Sequence, residues 1–113
     1  MAIEDYVDVK GGLKRVANMK KIYLKTLNMF LASGEFDKFE TALAAGDLNA
    51  AGDVAHAIKG MTGNLSFPKL FEYSASLMTS LHGGELDSDT IEKYRDALKK
   101  TREYVAQWVA ENG

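Results

Sequence analysis

One stretch of the 113-residue chain holds residues whose types and spacing could do chemistry. It runs from Asp47 to Leu65 and reads Asp-Leu-Asn-Ala-Ala-Gly-Asp-Val-Ala-His-Ala-Ile-Lys-Gly-Met-Thr-Gly-Asn-Leu. At about 100° per residue on a helix, Leu48, Ala51, Val54, Ala55, Ile58, Met61, Thr62 and Leu65 share one side, which is the side a core would cover. His56 falls opposite them. A solvated face would surround it with long charged side chains. Instead Gly52 stands four residues before it, Gly60 four after and Gly63 seven after, with Asn49 seven before, Asp53 three before and Lys59 three after. Residues three and four apart are neighbours on a helix surface. The histidine therefore projects from a nearly bare surface with one lysine beside it.

Each glycine inside a helix costs about 0.8–1.0 kcal/mol relative to alanine, so the three together cost roughly 3 kcal/mol. That is large against a typical total stability of about 5–15 kcal/mol. Glycines that serve close helix packing would lie on the core face, and these lie opposite it. The pattern points to something outside the bundle that must approach the imidazole closely. A neutral imidazole is a nucleophile through its unprotonated nitrogen, and a lysine is a mobile point charge suited to an incoming anion. Together they suggest a phosphoryl group delivered by a protein partner. No phosphate loop or nucleotide motif is visible, so the donor must bring its own machinery. The spacing Asp53-x-x-His56 also occurs in di-iron bundles. Such sites need a second pair and inward-facing glutamates, which this chain lacks, so no metal or cofactor is expected.

The elements that must hold this stretch are helical. Ala, Leu, Lys and Glu are frequent and proline occurs once, a composition that favours helices. Gly11-Gly12, Ser33-Gly34, Gly46-Asp47, Ser66 to Pro68 and His82-Gly83-Gly84 divide the chain. A short helix is predicted over Leu13 to Ala17, and longer ones over Met19 to Ala32 and Glu35 to Ala45. Gly46 is expected just past a helix end, with Asp47 capping the next helix, which runs to Leu65. Ser66 is expected to cap the helix that follows, with Pro68 in its first turn and His82 in its last, where a helix C-terminus favours a cation. The final helix is predicted to start near Asp87 to Asp89, with Asp89 and Glu92 as a capping box. Its stripe of Ile91, Tyr94, Leu98, Thr101, Val105 and Trp108 suits shallow bundle packing. The expected fold is all-α: an antiparallel up-and-down four-helix bundle with a short additional N-terminal helix, forming a single domain over 1–113. Phe67 and Phe71 are read as core side chains, with Phe67 also a candidate for the partner-facing surface.

Composition narrows the function. Hydrophobic residues make up 46% and charged residues 27%, ordinary values for one globular domain. The absence of cysteine excludes disulfides, thiolate metal sites and a cysteine nucleophile. Fourteen basic residues against sixteen acidic ones give a net charge of −2, without the basic footprint of a nucleic-acid binder. The basic residues lean to the front (Lys10, Lys14, Arg15, Lys20, Lys21, Lys25), and Glu35 to Asp53 is mostly acidic; both are read as solvated faces. No apolar run is long enough for a membrane span. The start, Met-Ala-Ile-Glu-Asp, has no basic and apolar leader, so a cytoplasmic location is expected, and the polar outer faces of the helices favour a monomer.

The run Ala55-His56-Ala57-Ile58-Lys59-Gly60 followed by Gly63-Asn64-Leu65 resembles the signature of histidine-containing phosphotransfer (HPt) domains. Ala42 to Asp47 resembles that family's approach to the active helix, and Leu70, Ala75, Leu77 and Leu81 resemble its following helix. The resemblance implies a phosphorelay intermediate. A receiver-domain aspartate, or a hybrid sensor histidine kinase, gives its phosphoryl group to the histidine, which passes it to the receiver of a response regulator. Carried over residue by residue, His56 is phosphorylated, Lys59 stabilises the phosphoryl group, and Gly60 and Gly63 leave room for the receiver. Gly52, Asp53, Asn64 and Phe67 complete the expected docking face. Mg²⁺ is expected on the receiver, not on this chain, which is a phosphoryl carrier with no kinase motif of its own. One departure is Ser66, where many members carry glycine ten residues after the histidine. The alternative is a helical adaptor that binds a receiver or kinase without transferring phosphate.

Overall fold

The computed structural model describes residues 3–113. Residues 1 and 2, at which the expectation of no leader and the expected domain both begin, lie outside the described residues. A 3-10 turn, Ile3–Asp5, leads into six helices: α1 (Val9–Arg15), α2 (Lys20–Leu31), α3 (Glu35–Ala44), α4 (Leu48–Leu65), α5 (Pro68–His82) and α6 (Ser88–Asn112). The described residues contain no strand. The fold is an all-α bundle with five helices of ten or more residues and one shorter. Among the described residues no helix is long and apolar enough to cross a membrane.

The core follows the helical periods. Tyr23, Leu27 and Phe30 of α2 are buried, as are Phe36 and Phe39 of α3, Ile58 of α4, Leu70, Leu77 and Leu81 of α5, and Ile91, Tyr94 and Val105 of α6. Aromatic pairs tie the helices sideways. Phe39 meets Tyr94 with ring centroids 4.9 Å apart, and Tyr23 meets Trp108 edge-on at 5.2 Å. Burial, and secondarily the negative charge of Asp8, pushes the Tyr23 hydroxyl up to about 12.

The ends of the helices explain three departures from the expected boundaries. Helix α1 begins four residues earlier than predicted and runs through Gly11-Gly12. The Asp8 carboxylate accepts from the Gly11 N–H at 3.1 Å, which caps the helix. Gly12 remains side-chain-free because a Cβ there would lie 2.8 Å from the Tyr23 hydroxyl oxygen. At α6 the cap is Asp87, not the Asp89–Glu92 box. Its carboxylate accepts from the Thr90 N–H at 3.1 Å and from the Thr90 hydroxyl at 2.6 Å. Those bonds, the hydroxyl's foremost, hold the Asp87 carboxyl below its ordinary range.

The third departure is at Ser66. It ends α4 and does not cap α5; the residue at the N-cap of α5 is Phe67, with no side-chain cap bond. The Ser66 N–H bonds to the Gly63 carbonyl and the Phe67 N–H to the Thr62 carbonyl. This is the paired closure of a Schellman motif. The same pattern closes α3, from Gly46 to Leu43 and Asp47 to Ala42, and α5, from Gly84 to Leu81 and Glu85 to Ser80. Gly46 and Gly84 meet its left-handed requirement with φ of 71° and 78°. Ser66 does so at φ 59°, where a Cβ costs about 1–2 kcal/mol. Two contacts hold it there: its hydroxyl accepts from Arg15 Nε at 3.2 Å, and its carbonyl accepts from the Asp8 N–H at 2.9 Å. The N-terminal segment thus clamps this turn.

Candidate functional site: the exposed face of helix α4

Helix α4 is well specified by its own residues. The Asp47 carboxylate accepts from the Ala50 N–H at 3.0 Å. Ala51, Ala55, Ile58, Thr62 and Leu65 form its buried row, and Leu48, Val54 and Met61 are partly buried beside it. The one polar member of the row, Thr62, is satisfied within the helix, donating to the carbonyls of Ile58 at 2.9 Å and Lys59 at 3.1 Å.

His56 is exposed on the opposite side. Its Nδ1 lies 3.0 Å from the thioether sulfur of Met78 on α5. Lys59, one turn on, is partly buried and forms no ion pair among the described residues. Its ammonium is therefore uncommitted. A Cβ added at Gly60 would meet nothing within 4 Å, so the space beside His56 on that side is open.

The other two glycines differ. Gly52 is buried, and a Cβ there would come within 2.8 Å of His82 Nε2. The expectation that it forms part of the bare docking face is corrected: α5 already covers it. A Cβ on Gly63 would touch the Phe71 ring at 3.2–3.3 Å, so this position is flanked by an aromatic side chain. Asp53 is exposed and is joined to α5, its Oδ1 2.8 Å from His82 Nε2. His82, expected to serve the end of its own helix, instead reaches across to α4. The Asp53 carboxylate is thereby committed to a histidine other than His56.

Asn64 is exposed and borders a groove whose floor includes Met61, Leu65 and Phe30. Phe67 does not reach the surface. It is fully buried, edge-on to Phe30 with centroids 4.9 Å apart, and has no face to offer a partner. Phe71, read as core, is the exposed aromatic of the pair at 38%. The left-handed turn at Ser66 rotates the chain so that Phe67 enters the core and Phe71, one turn into α5, comes out beside Gly63.

A family model for the Hpt domain matches residues 25–108. That span is most of the chain and includes the whole of α4. The chain belongs to the Hpt domain family. Comparison with curated proteins and with solved structures gave no match. The family is that of the histidine phosphotransfer domains of phosphorelays, and the all-helical fold of this Hpt domain agrees with it. The matched span leaves out α1 and the first turns of α2, where Lys10, Lys14, Arg15, Lys20 and Lys21 lie.

Sequence reasoning missed two neighbours of the site, Met78 and the cross-helix role of His82. Both belong to α5, 22 and 26 residues beyond His56. No helical period of α4 could have placed them. His82 carried a weak signal as a histidine at a helix end.

Proposed function

We propose that this Hpt domain is a phosphoryl carrier whose acceptor is His56. One observation carries the reading: in a member of this family, the histidine on the outer face of α4 is exposed beside an open Gly60 and an uncommitted Lys59. In the forward step a ring nitrogen of neutral His56 attacks the phosphorus of a receiver's aspartyl phosphate. An N–P bond forms, the acyl P–O bond breaks, and the electron pair leaves with the aspartate carboxylate. The Lys59 ammonium stabilises negative charge on the transferred oxygens. The receiver's own Mg²⁺ supports the same charge. Onward transfer reverses these bonds with a second receiver.

Partners are the receiver domains of response regulators and of hybrid sensor histidine kinases, met by a cytoplasmic monomer. Docking centres on Gly60, with Gly63 and Asn64 at its edges. The domain spans 1–113, its longer helices in antiparallel up-and-down order. The test incubates a phosphorylated receiver with the protein and with His56→Gln. Label that is acid-labile and base-stable on the native chain alone is the expected outcome. No label from several receivers, with the protein folded, would overturn the reading and leave a helical adaptor that binds receivers without chemistry.

A further inference from the structure

The partner of the His56 ring has a chemical consequence. A thioether sulfur carries no hydrogen, so it accepts hydrogen bonds and never donates them. Met78 Sδ lies 3.0 Å from Nδ1 of His56. A bare Nδ1 would set two lone pairs against each other at that distance. A protonated Nδ1 donates to sulfur. In a neutral imidazole only one nitrogen carries hydrogen, so the contact leaves Nε2 with the free lone pair. We propose that Met78 is a positioning residue: its sulfur holds the proton of His56 on Nδ1, keeps the ring in one orientation, and leaves Nε2 facing outward as the attacking atom. This deepens the phosphoryl-carrier reading and rests on it.

The surroundings support the assignment. Asp53, the carboxylate three residues before His56, is joined to His82 and does not compete for the Nδ1 proton. Lys59 offers only donors. No other hydrogen-bond partner of the His56 ring exists among the described residues. Met78 is partly buried and packs against the core, so the long thioether is held at its base while its sulfur reaches the ring. A ring proton fixed by a neighbour's acceptor is a general way of setting histidine reactivity; here the acceptor is a weak, polarisable one.

The test uses two substitutions of similar length or volume. Met78→Leu removes the acceptor, and Leu for Met is a volume-conserving exchange that a packed site tolerates well. Met78→Glu restores an unbranched chain ending in an acceptor. The ring ¹⁵N shifts of His56, read at a pH where the ring is neutral, report the tautomer without any phosphotransfer. In the native protein they should show a protonated Nδ1. In Met78→Leu that population should fall, and transfer from a phosphorylated receiver should slow about fivefold, the scale of one modest hydrogen bond. Met78→Glu should keep the Nδ1 proton and recover the rate. Unchanged ¹⁵N shifts in Met78→Leu, or equal slowing by both variants, would overturn the assignment. Shifts that respond as expected in a protein that accepts no label would uphold the role of Met78 and refute the carrier reading instead.

Discussion

Gly52 and Gly60 stand four residues to either side of His56 on the same helix, and the two positions do different jobs. At Gly60 a Cβ would meet open space, whereas at Gly52 it would run into the His82 ring. The missing side chain at Gly60 keeps a surface clear. At Gly52 it lets α5 close over α4, with His82 reaching on to Asp53 at 2.8 Å. On α4 alone the two look alike. Their difference teaches that bareness on a helix wheel has two causes, an absent neighbour or a very near one, and that only the adjacent helix tells them apart.

The sharpest way to break this comparison is Gly60→Trp. It should slow phosphotransfer by at least about 100-fold, the scale of a misplaced reaction partner, while the circular dichroism spectrum and thermal midpoint stay near native. Normal transfer would mean that the space at Gly60 is not used. The converse variant, Gly52→Leu, should lower stability by about 1–3 kcal/mol through overpacking, measured by denaturant unfolding. Because the clash is with one ring, His82→Ala should return part of that loss, giving a coupling of at least about 0.5 kcal/mol in a double-mutant cycle. Additive losses would show that something other than His82 crowds Gly52.

Smaller effects sharpen the picture. Gly46 and Gly60 both face open space, yet Gly46 sits at φ 71° and Gly60 lies within a helix. Gly46→Ala should therefore destabilise by about 1–2 kcal/mol. Gly60→Ala should stabilise by about 0.8–1 kcal/mol through helix propensity. Equal signs for the two would contradict the backbone assignment. The last effect concerns Gly12, which is closed over by Tyr23 as Gly52 is by His82. The Tyr23 hydroxyl is buried, makes no hydrogen bond to protein among the described residues, and ionises only at about 12 against an ordinary 10.0. Its folded value is raised, so its contribution is full below pH 10 and is lost as pH rises toward 12. Ultraviolet titration of the folded protein should show Tyr23, and with it Tyr94, whose hydroxyl burial also pushes up, delayed until unfolding begins. Five tyrosines titrating together below that point would rule out its burial.

Much of the candidate site was legible in the linear chain. Gly46 and Asp47 mark the start of α4 because a left-handed residue and a side-chain cap are local demands. The burial of Ala51, Ala55, Ile58, Thr62 and Leu65 and the exposure of His56 follow from the 3.6-residue period. Where reading failed, a neighbouring cap residue or a contact from another element was responsible. Asp89 and Glu92 looked like a cap, but Asp87 bonds both the amide and the hydroxyl of Thr90. Phe67 is core as read, but Phe71, read as core with it, is exposed beyond the turn where Ser66 adopts a left-handed conformation that Arg15 and Asp8, more than fifty residues away, help to hold.

The sequence by itself determined the helices, the outward direction of His56 and the lysine beside it. These depend on backbone hydrogen bonds and side-chain periodicity within one helix, which neighbouring residues specify. Tertiary structure decided which glycine is covered, which phenylalanine is exposed, and that Met78 and His82 stand beside α4. Those features depend on how α5 lies against α4. Side-chain contact between helices is set by the register and crossing of two surfaces, and residues far apart in the chain create it together.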